Sequence, residues 1–252
     1  MLDGIFCDGS LSTSSIMFEF IFSMMSLGSN ALPFEGMQAI PDQIYNRLPY
    51  ESVLLNTPVS QVASRSATLL TGEQIDARAV IVATDGPSAS ELIGGLKVPK
   101  YKGASCIYFS ADTCPAISNT LVLNGTGKGP INHLCVPSNV SESYAPRGRS
   151  LISTTVLGTE YLNDAHLLSP VRTQLTEWFG KMALEWTHLK TYNIPHVQPE
   201  QEPPLSRLIG GTTFLSNGVL ICGDHRENGS IQGALASGRI AGELAVNMLS
   251  NQ

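Results

Sequence analysis

The sequence predicts an α/β chain, α+β overall, in which an incomplete doubly wound sheet is interrupted by an inserted antiparallel sheet with helices. Three observations predict it. Two short apolar runs, Ala-Val-Ile-Val-Ala at 79–83 and Val-Leu-Ile-Cys at 219–222, stop at polar turns, as buried parallel strands do. Between them, stretches 104–111, 119–123, 131–136 and 150–157 read as strands separated by Gly- and Pro-rich turns, the pattern of an antiparallel sheet. Residues 195–204 (Pro-His-Val-Gln-Pro-Glu-Gln-Glu-Pro-Pro) read as the linker that returns the chain to the first sheet. The expected division is 1–28 with 96–209 for the inserted unit, and 29–95 with 210–252 for the partial sheet.

Residues 16–27 (Ile-Met-Phe-Glu-Phe-Ile-Phe-Ser-Met-Met-Ser-Leu) predict an apolar helix, too short and too interrupted by Glu19 and two serines to span a bilayer. Such a helix is ordinarily core. Its Met and Phe content also suits the wall of an apolar substrate tunnel or a membrane surface. After a loop at 26–33, residues 36–48 read as a helix with Ile40, Ile44 and Leu48 on one face and Pro41 in its first turn. Short strands follow at 53–55, 59–63 and 67–70, with Thr71-Gly72-Glu73 turning the chain toward Ile75. Asn163 or Asp164 would cap a helix reaching Trp178 or beyond, burying Leu167, Leu168, Val171, Leu175, Trp178 and Met182.

A formal net charge of −6 over 252 residues, with no Lys/Arg-rich run, argues against a nucleic-acid partner. The five cysteines (Cys7, Cys106, Cys114, Cys135, Cys222) are widely spaced with no Cys-x-x-Cys pair, and read as reduced, mostly buried thiols of an intracellular chain. The five histidines (His133, His166, His188, His196, His225) lack ligand spacing, so no metal site is expected. Asn-x-Ser/Thr matches at Asn124, Asn139 and Asn228 would matter only in a secreted chain, and nothing resembles a signal peptide. A serine hydrolase is disfavoured because no Gly-x-Ser-x-Gly elbow occurs.

The most informative segment is 218–239, Gly-Val-Leu-Ile-Cys-Gly-Asp-His-Arg-Glu-Asn-Gly-Ser-Ile-Gln-Gly-Ala-Leu-Ala-Ser-Gly-Arg. Gly223 lets the backbone turn where a side chain would block a ligand, and Asp224 stands at the strand's carboxyl end, where ligands bind in open α/β sheets. A helix starting near Ser230 would aim its unpaired N–H groups and positive dipole end at the same crevice, which suits an electron-rich ligand edge. Ala234, Gly238 and Gly242 recur at i+4, and Ala241 and Ala245 continue a stripe of small residues beside Leu235, Leu244 and Met248, so the helix could lie close to a sheet or a flat ligand. The segment equally suits a plain strand–turn–helix with Asp224 capping the helix or bracing the turn. His225 and Arg226 read as part of a solvated turn, with charge balance near a ligand as the other role.

Three stretches resemble the flavin-containing amine oxidoreductase superfamily, particularly its phytoene desaturase-like, NAD(P)-binding-type branch: 32–41 (Leu-Pro-Phe-Glu-Gly-Met-Gln-Ala-Ile-Pro), 55–62 continuing to 79–85, and 218–239. The resemblance is to the carboxyl-terminal part of that family. It implies an incomplete FAD-binding doubly wound sheet with an inserted substrate domain, FAD as cofactor, and flavin hydride transfer from a small apolar substrate. By the same resemblance, the backbone at Val59 would contact the adenine and the Ala83-Thr84 turn would pass near the nucleotide. Gly223 and Asp224 would hold the pyrophosphate or ribityl chain, and Ser230, Ile231 and Gln232 would approach the flavin ring. No side chain stands out as a catalytic acid or base. The intracellular setting stays open between cytoplasm and a plastid-like organelle, with a membrane-surface role implied only by analogy.

The family's opening strand–turn–helix, with Gly-x-Gly-x-x-Gly and an acidic residue about twenty positions on, has no counterpart in the sequence. Gly94-Gly95, the run 125–129 and Gly210-Gly211 do not follow a buried strand and open a helix. By analogy the absent strands would lie between 53–55 and 79–83, leaving unpaired backbone groups in mid-sheet. Three arrangements would cover them: a longer reading frame of which this is the carboxyl-terminal part, a partner chain supplying the missing half, or rearrangement into a cofactor-free fold. The first two preserve a flavoenzyme; the third gives a binding or assembly module. Ser230 follows Gly229 where the amine oxidases proper would carry an aromatic residue, so one wall of an amine-recognising cage is absent.

Overall fold

The structure, a computed structural model, describes residues 1–113, 115, 117–161, 166–203, 213, 215 and 217–250. Cys114, the expected helix caps Asn163 and Asp164, Pro204 and Gly210-Gly211 lie outside the described residues. In chain order the first elements are α1 (Leu2–Ile5), α2 (Ser15–Leu27), α3 (Ala39–Tyr45), β1 (Val59–Ala63), β2 (Ser66–Leu69), β3 (Gln74–Asp76), β4 (Ile81–Val82) and α4 (Gly86–Ile93). There follow β5 (Tyr101–Ala111), β6 (Val122–Leu123), β7 (Ile131–Cys135), α5 (Pro137–Val140), β8 (Ser150–Leu157), α6 (Leu168–Phe179), β9 (Thr187–Pro199), β10 (Leu220–Ile221) and α7 (Ile231–Ser250). Contacts divide the chain into two units: Met1–Leu11, Phe20–Leu48 and Lys102–Val197 form the first, and Ser12–Glu19, Pro49–Tyr101 and Gln198–Gln252 the second.

The first unit is built on a five-stranded sheet of order β6-β7-β8-β5-β9. Strands β5 and β8 pair antiparallel from Ala104↔Leu157 to Ala111↔Ser150, and their strict alternation puts Ile107, Phe109, Ile152 and Val156 on one face. That face is filled by Val171 and Leu175 of α6 together with Trp186, all buried. Thr154 sits in this core because its Oγ1 donates to the carbonyl of Ile107 at 3.2 Å, which meets the hydrogen-bonding need that burial would otherwise leave open. Gln174 is equally buried: its Nε2 donates to the carbonyl of Lys128 at 2.8 Å and its Oε1 accepts from the N–H of Ile131 at 2.8 Å, pinning the β6–β7 turn to α6. Near the amino terminus, Lys102 forms an ion pair at 2.7 Å with the buried Asp8.

Strand β9 corrects the expected linker. Residues 195–199 belong to a thirteen-residue strand, prolines included. β9 ends the strand order, and at an edge the N–H that proline lacks need not join a ladder.

The second unit holds two sheets. β1, β2 and β3 form an antiparallel meander, while β4 and β10 pair in parallel through Leu220↔Ile81 and Ile221↔Val82. Val219, Leu220, Ile221 and Cys222 are all buried, as the apolar run predicts. The expected fully buried strand at 79–83 is shorter and half-covered: Val82 packs with Ala89 of α4, but Ile81 is 38% exposed. Leu220, paired with Ile81 and so on the same face, is 1% exposed, while β4 has no second strand neighbour among the described residues, so Ile81 stands at the open edge of the sheet. The expected strand at 53–55 does not form; Leu54 and Leu55 are exposed turn and coil residues without a pairing strand among the described residues.

Helix α7 presents a different row to the sheet than the stripe expected. Gly233, Ser237 and Ala241 are buried, whereas Ala234, Leu235 and Leu244 are exposed and the space beside Gly238 and Gly242 is open. The rotation follows from an anchor: Ser237 Oγ accepts the N–H of Gly223 at 3.1 Å. Helix α2 is likewise not an ordinary core helix, since Met17 alone is buried while Phe18, Phe22, Met24, Met25 and Leu27 are exposed. Among the described residues no helix is long and apolar enough to cross a membrane.

Candidate functional site

Because β4 and β10 run parallel, their carboxyl ends fall side by side. The ladder closes with the N–H of Cys222 on the carbonyl of Val82 at 3.0 Å, and both strands then turn. At that point Thr84 and Gly223 meet: a Cβ on Gly223 would stand 3.3 Å from the Thr84 carbonyl oxygen and 2.6 Å from the His225 ring. Gly223 also has φ +147°, a conformation that side chains disfavour, so the turn needs glycine twice over. Beyond Thr84, Asp85 caps α4 by accepting from the N–H of Ser88 at 2.8 Å, and the next N–H, of Gly86, donates to the Tyr101 hydroxyl at 3.0 Å.

Residues Asp224–Arg226 form a single 3-10 turn that directs neighbouring side chains in opposite directions. The Asp224 side chain is 31% exposed and reaches solvent. His225 is 2% exposed, which corrects the reading of a solvated turn, and it lies against Gly223. Its Nδ1 is 3.7 Å from Asp224 Oδ1, beyond hydrogen-bonding distance, and among the described residues neither ring nitrogen has a hydrogen-bond partner. Burial lowers the Arg226 pKa. It raises that of the Cys222 thiol, which stays protonated. The Tyr101 phenol is pushed up to about 12, by burial first, with the Asp224 and Asp85 carboxylates adding and the hydrogen bond from Gly86 opposing.

Ser230 starts α7. Its Oγ accepts from the N–H of Gly233 at 3.0 Å and donates to Asn228 Oδ1. Gly229 is held on both sides, its N–H donating to Gln201 Oε1 at 3.1 Å and its carbonyl accepting from Gln198 Nε2 at 2.8 Å. Ile231 and Gln232 stand exposed at the helix start, where the first N–H groups have no intrahelical acceptor.

Of the residues singled out from the sequence, Ala83, Thr84, Gly223 and Asp224 sit together at the two strand ends, and Ser230, Ile231 and Gln232 begin the helix tied to Gly223 through Ser237. Val59 is on a different sheet, opposite Leu69 of β2, with its side chain 37% exposed. Sequence reading missed Tyr101, Gln198, Gln201 and the buried state of His225. It also missed Ser237, although a lone hydroxyl in the row Gly233, Ser237, Ala241 was a usable signal.

The sequence profile of the family described as flavin containing amine oxidoreductase matches residues 1–245. The chain belongs to that family. A comparison with curated proteins found no match. Among solved structures, reduced UDP-galactopyranose mutase matches with a TM-score of 0.66 at 16% identity, over 84% of this chain and 53% of that one. Putrescine oxidase bound to putrescine matches with a TM-score of 0.60 at 14% identity, over 84% and 53%. An oxidoreductase from Methanosarcina mazei matches with a TM-score of 0.53 at 15% identity, over 73% and 48%. These likenesses establish the α/β fold, and the chain spans about half the length of each structure.

Proposed function

We propose that the chain is the carboxyl-terminal, flavin-proximal part of a FAD-dependent oxidoreductase that acts on a small apolar substrate. The observation that carries the reading is the meeting of Thr84 and Gly223 at the carboxyl ends of two parallel strands, with the start of α7 tied to the same turn. Family membership supports the flavin, and the half-length span supports a further segment or partner chain that completes nucleotide binding.

The residues fit such a group. Gly223 carries no side chain of its own, but the space a Cβ would take is held by the His225 ring at 2.6 Å, so a ligand at this turn would meet the strand-end backbone beside that ring. Asp224 accepts hydrogen bonds from hydroxyls, which suits a ribityl chain. The start of α7, at Ser230, Ile231 and Gln232, offers N–H groups and a positive dipole end to an electron-rich ring edge. Ala83 and Thr84 supply exposed backbone along the nucleotide, and Val59 stays the proposed adenine contact. When bound, the flavin supplies hydride acceptance; the protein contributes position and dipoles.

The test is a fluorescence titration of FAD into the wild-type chain and Asp224→Ala. Losing a charge-assisted hydrogen bond should weaken binding by about tenfold or more. Equal affinity in the two proteins would remove Asp224 from the site. The second reading, a cofactor-free assembly module, draws on the exposed Ile81 and Leu235; it predicts no flavin binding and a persistent complex with a partner chain.

A further inference from the structure

The five-stranded sheet has two chemically different faces. One is the apolar core against α6. The other carries Cys106 and Tyr108 from β5, Leu151 and Ser153 from β8, and Cys135 from β7, with Tyr108, Ser153 and Cys135 in one cross-strand row. Over this second face, at Cys106, Tyr108 and Leu151, opens a cavity of about 810 Å³, whose remaining walls come from β9, from Pro137 and Tyr144, and from Met37 and Gln38. That is the size of a small-molecule site, where apolar walls with a few placed polar groups enclose roughly 300–1,000 Å³.

Its walls have a specific chemistry. The Tyr108 and Tyr192 rings meet edge to face, with centroids 5.9 Å apart at 88°. Lys190 Nζ stands 4.6 Å from the Tyr192 ring centroid and is the one charged group among the described residues lining the cavity. Among the described residues no carboxylate lines it; Asp42 accepts from Gln38 Nε2 at 2.9 Å but lies outside the wall. The Tyr108 phenol is pushed up to about 12, by burial first and then by its hydrogen bond to Cys106, so it remains a neutral ring surface at neutral pH.

We propose that this cavity binds a small aromatic carboxylate, its ring against Tyr108 and Tyr192 and its charge at Lys190. Aromatic faces and edges favour a flat ring, and a single unopposed cation selects an anion over an amine. The site lies wholly within the first unit, so it stands or falls independently of flavin binding in the second.

The test titrates the full chain at neutral pH with 2-naphthoate and with 2-naphthylmethylammonium, a probe of similar shape and opposite charge. Naphthoate should bind about tenfold more tightly. Lys190→Gln, an exposed substitution that leaves the fold intact, should weaken naphthoate three- to fivefold, the scale of an exposed charge pair, and should strengthen the amine as its repulsion is removed, so that the preference between the two probes shrinks. Lys190→Arg should retain naphthoate binding. Failure of both probes to bind, equal or tighter binding of the amine, or naphthoate binding indifferent to Lys190→Gln would each overturn the proposal.

Discussion

The carbonyl oxygen of Thr84 lies 3.3 Å from the position a Cβ would take on Gly223, so the ends of β4 and β10 touch through backbone alone. A ligand approaching there would meet the Thr84 carbonyl together with the His225 ring, which stands 2.6 Å from the same position. The same closeness makes Gly223 the least replaceable residue of the turn.

Gly223→Ala should therefore destabilise the protein by about 1–3 kcal/mol, the cost of a strained backbone plus a crowded Cβ. The His225 ring, 2.6 Å from the new methyl, has no room to retreat, being 2% exposed. Urea unfolding measures this; an unchanged midpoint would show that the turn relaxes freely.

Two glycines of α7 should respond with opposite signs. Beside Gly238 nothing lies within 4 Å of an added Cβ, so Gly238→Ala should stabilise by about 0.5–1 kcal/mol through helix propensity. At Gly233 the same methyl would collide with the carbonyl oxygen of Asn228, so Gly233→Ala should destabilise despite its better propensity. Thermal unfolding of the two variants tests the helix rotation directly. If Gly233→Ala were the stabilising one, the stripe expected from the sequence would be the correct face.

Alkaline pH should unfold the protein earlier than its surface charge alone would require. Tyr101 and Tyr108 titrate at about 12 in the folded state, against an ordinary value of 10. Between those values the unfolded chain has released protons that the folded chain still holds, so rising pH favours unfolding. The contribution is fully present below about pH 10 and is lost toward pH 12. Tyr101→Phe should flatten part of that slope, and should also lower stability at pH 8 by about 1 kcal/mol because Gly86 loses its acceptor. Urea unfolding between about pH 8 and 11.5 reads both effects.

Much of this was legible in the sequence because it rests on local patterns. Strand β8 matches its expected bounds, and the run 219–222 is buried throughout, since continuous β-branched and apolar residues have few alternatives. The failures share a cause: they depend on neighbours that a local pattern does not contain. β9 was hidden because Pro195 and Pro199 signal a linker unless the strand is known to lie at an edge. The strand at 53–55 was expected from apolar content, but it has no pairing strand among the described residues. The face of α7 was set by one long-range hydrogen bond, Gly223 to Ser237, rather than by residue size. At the site, Asp224 was readable from its place after a buried strand, whereas Tyr101 reaches Gly86 from fifteen residues away and leaves no local trace.

The most direct measurement is a visible absorption spectrum of the purified chain after incubation with FAD and gel filtration, wild type beside Asp224→Ala. The account predicts a perturbed flavin spectrum that travels with the wild-type chain and is diminished in Asp224→Ala. A variant that holds flavin as well as the wild-type chain would contradict the flavin site placed at the Thr84 and Gly223 turn, and a colourless wild-type chain would show that this half of the site does not hold flavin without the segment or partner that completes it.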